Sequence, residues 1–349
     1  MTVLCLVERD GPGIADASLR ALSFARQLAA QSGETLAAAM FAPAGDVPAG
    51  DVPAGDVPAG DVLADVPADI LAAWGCADAY VVRSARLAGY APVAWARALT
   101  QLAGVCSASA VVAAGTDRGS EVLAHLGAAA GLPVAAGCVS AVRVSVGAVQ
   151  LVRQRWAGSL LEDAVLEASP ALLTVAVDAV AAEPAPVPAA ASVHEHHPEL
   201  DDADVAVCAV ESAERGGGVS LATARVVVGG GRGVGGPDGF AALEDLAGLL
   251  GGTVGVSRVV TSQGWRPHQQ QVGQTGTRIS PELYLACGIS GAIQHMAGCQ
   301  SAKHIVAINT DPNAPIMSRA GYAVVGDLNQ VIPALVTALR NRAARPERG

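Results

Sequence analysis

Six polar side chains able to act on a bound ligand fall beside three turns in the last third of this 349-residue chain. Ser257 and Arg258 follow the short apolar run Thr253–Val256, Gln274 and Thr275 sit in the loop Gln271–Gly276, and Gln294 and His295 follow Gly288-Ile-Ser-Gly291. Arg keeps its charge at any working pH, Thr offers a hydroxyl, and His can donate or accept. Glycines let the backbone turn sharply, and a turn that opens a helix presents free amides and the positive end of the helix dipole, a ready anion site. Gly231-Arg-Gly-Val-Gly-Gly236 adds a G-x-G-x-x-G after a strand, the pattern of a nicotinamide dinucleotide site. The acidic residue that such sites carry about 20 positions on is missing, because that region reads Leu-Leu-Gly-Gly-Thr-Val-Gly. A flexible turn with a solvated Arg232 is the plainer reading. The sequence has no Ser–His–Asp order, no zinc spacing and no Walker motif. That fits a protein whose cofactor does the chemistry while the chain tunes it.

These residues need strands to hold them on one rim. Arg225–Val228, Thr253–Val256, Tyr284–Cys287, Ile305–Ile308 and the run around Ala323 read as buried strands. Phe240–Leu250, Ala292–Ala297 and Leu328–Arg340 read as helices between and after them. Alternation of this kind implies a parallel, doubly wound sheet, whose ligands sit beyond the carboxyl ends of the strands. Asn309 and Asp327 fall on that rim, and Asp327 also precedes a helix that it could cap.

The first half alternates in the same way. Thr2–Val7, Thr35–Phe41, Ala77–Val82 and Ala108–Ala113 read as strands, and Ala15–Ala30 and Val93–Ala103 as helices. Thr116–Gly131 reads as a loop and helix, and the β-branched stretch Val139–Trp156, broken by Gly147, as a hairpin. PAGDV repeats four times over residues 43–62; a five-residue period suits neither a helix stripe nor a strand face, so a surface loop is expected. Residues 180–203 are Pro/Ala-rich and then acidic, which is linker composition. The His194-Glu-His-His197 cluster inside that stretch could hold a metal or be solvated. The expected fold is therefore α/β with two domains, each a mainly parallel sheet flanked by helices, over residues 1–179 and 204–349.

Composition narrows the function. The chain is 51% hydrophobic but only 3% aromatic, so its cores must be built from Ala, Val and Leu. A net charge of −10 argues against nucleic-acid binding through bulk charge. No apolar run reaches the ~18 residues of a membrane helix, so no membrane insertion is expected. Glu8, Arg9 and Asp10 come too early for a signal-peptide core, so a cytoplasmic protein is expected. Seven cysteines without paired spacing favour reduced, buried thiols.

The segments LYLACGISGAIQHMAG (283–298) and IVAINTDPNAPI (305–316) closely resemble the flavin-binding signature of the electron transfer flavoprotein alpha subunit. The resemblance runs upstream through RVVVGGGRG (225–233), VSR (256–258) and QVGQTG (271–276), and is looser in the first half. It implies that the second domain is a doubly wound FAD-binding domain and the first a docking domain for partners. Arg232 would contact the dinucleotide of FAD. Ser257 and Arg258 would lie by the flavin ring, where a fixed positive charge favours the reduced, anionic form. Gln271, Val272, Gly273, Gln274 and Thr275 would form the loop at the redox-active edge near N5. Gln294 and His295 would flank the pyrimidine side, where a donor stabilises charge at N1/O2. Ser290 and Gly291 would serve phosphate or ribityl oxygens and Asn309 and Asp327 the adenosine half, with Gly288, Ala292 and Leu328 as further cofactor-binding positions. Each has a plainer alternative: a surface ion pair for Arg258, an ordinary turn for 271–276, a core histidine for His295.

The same resemblance implies an electron carrier, not an enzyme that turns over a substrate. It implies a heterodimer with an electron transfer flavoprotein beta subunit, which carries AMP in ordinary members. Electrons would arrive from flavoprotein dehydrogenases such as acyl-CoA dehydrogenases of fatty acid oxidation and leave one at a time to a membrane quinone oxidoreductase. Two alternatives are an electron-bifurcating relative, whose partner holds a second FAD and takes NADH, and a nonredox nucleotide-binding module.

Overall fold

The computed structural model describes residues 1–11, 13–42, 66–87, 89–209, 221–222 and 224–343. The chain forms two compact units, residues 1–156 with 160–213, and 214–349 with 157–159. The expected PAGDV loop lies outside the described residues.

The first unit runs β1 (Thr2–Leu6), β2 (Arg9–Asp10), β3 (Gly13–Ile14), α1 (Asp16–Ser32), β4 (Thr35–Phe41), α2 (Ala68–Ala73), β5 (Asp78–Val82), α3 (Pro92–Val105), β6 (Ala108–Ala114) and α4 (Asp117–Ala130). It continues through β7 (Val134–Ser145), β8 (Ala148–Arg155), β9 (Leu160–Glu167), β10 (Ala171–Val175) and β11 (Ser192–His196). Nine of these strands form one sheet in the order β11-β5-β4-β1-β6-β10-β7-β8-β9. It is parallel from β11 to β7, and β7, β8 and β9 form an antiparallel meander. The central strands are buried on both faces, which is why they read as unbroken apolar runs. One core lies beneath α1 and α2, a second beneath α3 and α4. With few aromatics these cores are Ala, Val and Leu, and the small side chains let helices and sheet approach closely. Helix α1 ends at Gly33 with φ 64°, the left-handed stop that glycine takes without a Cβ penalty.

Three expectations change here. The hairpin at 139–156 is the first part of a three-stranded meander. The stretch 180–203 is not a free linker: β11 adds to the sheet edge beside β5, and the amides of Ala185 and Ala189 donate to the last carbonyls of α2 at Ala73 and Ala72. Proline removes donors only at its own positions, so the remaining amides can still dock on a helix end that needs them. The His194–His197 cluster sits on that strand and its end; His194 Nε2 meets Asp78 at 2.8 Å and His197 Nε2 meets Glu195 at 3.2 Å. Among the described residues no group of three or more His, Cys, Asp or Glu could hold a metal.

The second unit runs β12 (Val226–Gly230), α5 (Phe240–Leu249), β13 (Thr253–Val256), α6 (Arg258–Ser262), β14 (Leu283–Cys287), α7 (Ile293–Cys299), β15 (His304–Asn309), β16 (Tyr322–Val325) and α8 (Leu328–Ala343). Its five strands are parallel throughout, in the order β13-β12-β14-β15-β16. The order reverses between β12 and β14, and ligands of open α/β sheets bind beyond the strand ends at such a point. Phe240, Leu243, Leu246, Ile332 and Val336 from α5 and α8 cover one face, and Tyr284, Met296, Cys299 and Ile316 build the core on the other. This is the doubly wound arrangement the sequence implies.

The cysteines are all free; five are buried, Cys106 is half-buried and Cys208 is exposed, against the expectation that all are buried. Among the described residues no helix is long and apolar enough to cross a membrane.

Candidate functional site

The glycine turns at the end of the second sheet are shaped first by each other. Gly231 N–H donates to the Cys287 carbonyl (2.9 Å) and Gly233 N–H to the Gly288 carbonyl (3.1 Å). A Cβ at Gly231 or Gly233 would clash with the Gly288 backbone, and Gly288 itself has φ 63°. The turns after β12 and β14 therefore meet backbone to backbone at the reversal of strand order, which accounts for Gly231 and Gly233 without a nicotinamide dinucleotide. Arg232 projects from this turn, exposed. The Gly288 amide is not free, as the sequence suggests, because it donates to the Ile308 carbonyl at 2.9 Å. Gly291 has φ 81°, and a Cβ there would clash with Ile316; the neighbouring Ser290 carbonyl accepts from Ile316 N–H at 3.1 Å. Ser290 and Ala292 are exposed beside it.

A second group assembles around β13. Val272 N–H donates to the Val256 carbonyl at 2.8 Å, so the loop 271–276 runs along the end of β13, next to Ser257 and Arg258. Gln271, only 2% exposed, ties this loop to α6. Its Oε1 accepts from the Thr261 hydroxyl (2.7 Å) and its Nε2 donates to Thr275 Oγ1 (3.1 Å). The same loop rests on α7: Gln274 N–H donates to the Gln294 carbonyl at 2.8 Å, and Gly273, at φ 151°, packs on Gly298, where any side chain would strike it. Arg258, Thr261, Ser262, His268, Gln271 and Thr275 line a cavity of about 300 Å³. Thr261, Ser262 and His268 are absent from the sequence-based set. The first two lie three and four residues after Arg258, the helical spacing that would have placed them beside it.

His295 is 7% exposed, and its Nε2 lies 2.8 Å from the Tyr284 hydroxyl. Its Nδ1 is buried without a well-formed hydrogen bond. Burial pushes this imidazole down to about 4, with the Val272 backbone opposing the shift, so the ring is neutral at physiological pH. Arg258 and Arg232 have no ion-paired or hydrogen-bonded side-chain partner among the described residues. The plain reading of Arg258 as a surface ion pair finds no partner among the described residues, whereas His295 is buried, as the core-histidine alternative has it.

The other expected residues already have structural work. Asn309 donates from Nδ2 to the Ile289 carbonyl (2.9 Å) and accepts from Asp311 N–H (3.0 Å). Asp327 caps α8, accepting from Asn329 N–H at 2.9 Å, and Leu328 packs against the core under that helix. The structure thus brings Ser257, Arg258, Gln271–Thr275, Gln294 and His295 together at one loop–helix junction. Arg232, Gly288–Ala292, Asn309, Asp327 and Leu328 lie along the neighbouring strand ends.

Residues 3–202 match the family model for the electron transfer flavoprotein domain, and residues 220–300 match that for the electron transfer flavoprotein FAD-binding domain. A Mycobacterium leprae protein, electron transfer flavoprotein subunit alpha, is 39% identical over 77% of this chain and 83% of its own length. A Syntrophomonas wolfei protein of the same name is 36% identical over 77% of this chain and 84% of its own. One from Thermoanaerobacterium thermosaccharolyticum is 53% identical, over 35% of this chain and 37% of its own. FAD carries a charged diphosphate and a reducible ring. Two unpaired guanidinium groups, an unmet buried imidazole nitrogen and a cradle of close-packed glycine turns fit such a group. With the first family model alone covering more than half the chain, the protein belongs to the electron transfer flavoprotein family as an alpha subunit, an electron-transfer flavoprotein that binds FAD through its second unit.

Proposed function

We propose that the chain works as a heterodimer with an electron transfer flavoprotein beta subunit in the cytoplasm. In this reading it takes electrons from flavoprotein dehydrogenases, including acyl-CoA dehydrogenases, and passes them to a quinone oxidoreductase. The carrying observation is the loop 271–276, which rests on α7 through Gln274 and Gln294 and whose Thr275 lines one cavity with Arg258, a guanidinium with no ion-paired or hydrogen-bonded partner among the described residues. FAD, when bound, accepts an electron pair from a donor and releases it one electron at a time.

The chain's own residues set the conditions for that chemistry. Arg258 supplies a fixed positive charge that favours the more negative, reduced ring. Thr275, whose oxygen is held by Gln271 Nε2, keeps its hydroxyl proton for an acceptor at the ring edge. His295 remains neutral and offers a hydrogen bond without adding charge. Arg232 and the exposed Ser290 lie where diphosphate and ribityl oxygens need donors, and Asn309 and Asp327 lie on the rim proposed for the adenosine half.

The test is purification with the co-encoded partner, followed by flavin quantitation and stepwise reduction by an acyl-CoA dehydrogenase with its substrate. One FAD per heterodimer, reduced by the dehydrogenase, is expected. NAD in place of flavin, or a 1–179 fragment that keeps the flavin, would sink the site assignment. Reduction by NADH but not by the dehydrogenase would favour the bifurcating relative.

A further inference from the structure

Tyr284 is the largest fully buried side chain among the described residues and carries a hydroxyl into a core otherwise lined by apolar groups and thiols. The space for its phenol comes from the adjacent strand: a Cβ at Gly229 would clash with the Tyr284 ring and oxygen. In register, Ala286 and not Tyr284 stands opposite Gly229, so the missing side chain accommodates the phenol as it leans along the sheet toward α7. There the hydroxyl lies 2.8 Å from His295 Nε2, with the two rings 6.1 Å apart. Tyr284 has one proton to place, and His295 is its hydrogen-bond partner among the described residues.

Counting donors decides the direction of this bond. If the phenol donates, Nε2 is the acceptor and the imidazole proton sits on Nδ1, where the Val272 backbone offers only a poorly aligned acceptor. If Nε2–H donates instead, the phenol proton has no acceptor in a dry core and the Nδ1 lone pair is unmet as well. A buried donor without a partner is costly, so the first arrangement wins. We propose that Tyr284 is a positioning residue: its hydroxyl holds His295 as the Nδ1–H tautomer, so that the ring presents a donor to an acceptor atom of the reduced flavin. This rests on the assignment of FAD to this rim. Without Tyr284 the imidazole could present a bare lone pair, which repels the electron-rich acceptor that reduction creates.

The experiment uses the holo heterodimer with ¹⁵N-labelled histidine. Nitrogen shifts distinguish the two neutral tautomers, and the His295 signals are identified by their loss in His295→Gln. The wild type is expected to show Nδ1–H. Tyr284→Phe keeps the ring and is expected to keep its flavin, while His295 moves to a mixture or to Nε2–H. The preference for reduced over oxidised flavin is then expected to fall about tenfold, roughly 30 mV for a two-electron couple. A wild-type Nε2–H tautomer overturns the proposal, as does a Tyr284→Phe protein with unchanged tautomer and potential. Should Tyr284→Phe fold poorly, the wild-type tautomer still decides. A wild-type complex without flavin would instead overturn the FAD assignment, and the tautomer would still be read from the same spectrum.

Discussion

Both units end their central strands in glycine-bearing turns beside a helix, yet the two rims spend their polar groups differently. In the first unit Gly115-Thr-Asp-Arg-Gly-Ser120 follows β6. Thr116 caps α4 by accepting from Gly119 N–H at 2.9 Å, and its hydroxyl donates to Glu8, whose side chain is 9% exposed at the end of β1. Tyr90 donates to Glu121 at 2.6 Å, and Arg118 lies over the Tyr90 and Trp95 rings. Thr116 with Glu8 and Tyr90 with Glu121 thus satisfy one another in pairs, while Arg118 is held only over the rings. In the second unit Arg258, Arg232 and His295 Nδ1 have nothing of the kind. The two sheets thus differ at these turns, although Arg83 Nε and His196 Nε2 at other strand ends of the first unit are also buried without a hydrogen bond.

Equivalent steric lesions should separate the two rims most clearly. Gly298→Ala drives a methyl into the Gly273 backbone and lifts the 271–276 loop from α7, so flavin content should collapse and stability fall by about 3 kcal/mol. Gly119→Ala strikes the Ala114 carbonyl and should cost similar stability, while the folded fraction keeps its full flavin complement. Flavin content and thermal melting of both variants check this, and flavin loss in Gly119→Ala would end the contrast.

The next effect concerns pH. Burial holds His295 at about 4 in the folded protein, below its ordinary value of 6.5. As pH falls, the unfolded chain takes up this proton first, so the stabilisation is complete above 6.5 and is lost between 6.5 and 4. The total is on the order of 3 kcal/mol. His196 in the first unit is also lowered, by burial and by His197, so the wild-type melting curve combines both. Subtracting the curve of His295→Gln should isolate the second-unit part. A variant that keeps the full acid slope would mean His295 is not the group responsible.

Arg258→Ala removes a charge that is solvent-exposed, so the expected loss is about 1 kcal/mol. With ~1.4 kcal/mol equal to about 59 mV for one electron, the first flavin potential should drop by a few tens of millivolts. Arg118→Ala, whose charge rests on aromatic rings of the other unit, should leave it alone. Spectroelectrochemistry of both variants distinguishes them, and equal shifts would remove the special status of Arg258. The smallest effect is expected from deleting residues 46–55, two PAGDV units. Loop closure changes by about 0.6 kcal/mol per doubling of length, so melting temperature and flavin content should hardly move. Selective loss of electron acceptance from a dehydrogenase would make the repeat a docking element.

What the amino-acid sequence determined by itself is the local layer. Apolar runs of four to seven residues fixed the strands, as at Thr35–Phe41 and Thr253–Val256, because a strand buried on both faces has no polar positions to confuse the pattern. The residues after strands put Arg258 at the end of β13 and Gln294 and His295 after β14, because parallel sheets put every carboxyl end on the same side. Tertiary structure decided the rest. Strand β11 hides in a Pro/Ala-rich stretch because its partner, β5, lies more than a hundred residues away. The glycines at 231 and 233 serve a close approach to Gly288 that no local spacing reveals. The partner of His295 is Tyr284, which reads in sequence as one more apolar strand residue; only the lean of its ring over Gly229 brings the hydroxyl to the imidazole and leaves the other nitrogen unspent. Element type follows from neighbours along the chain, whereas hydrogen-bond direction and leftover donor capacity follow from which distant groups the packing brings within about 3 Å.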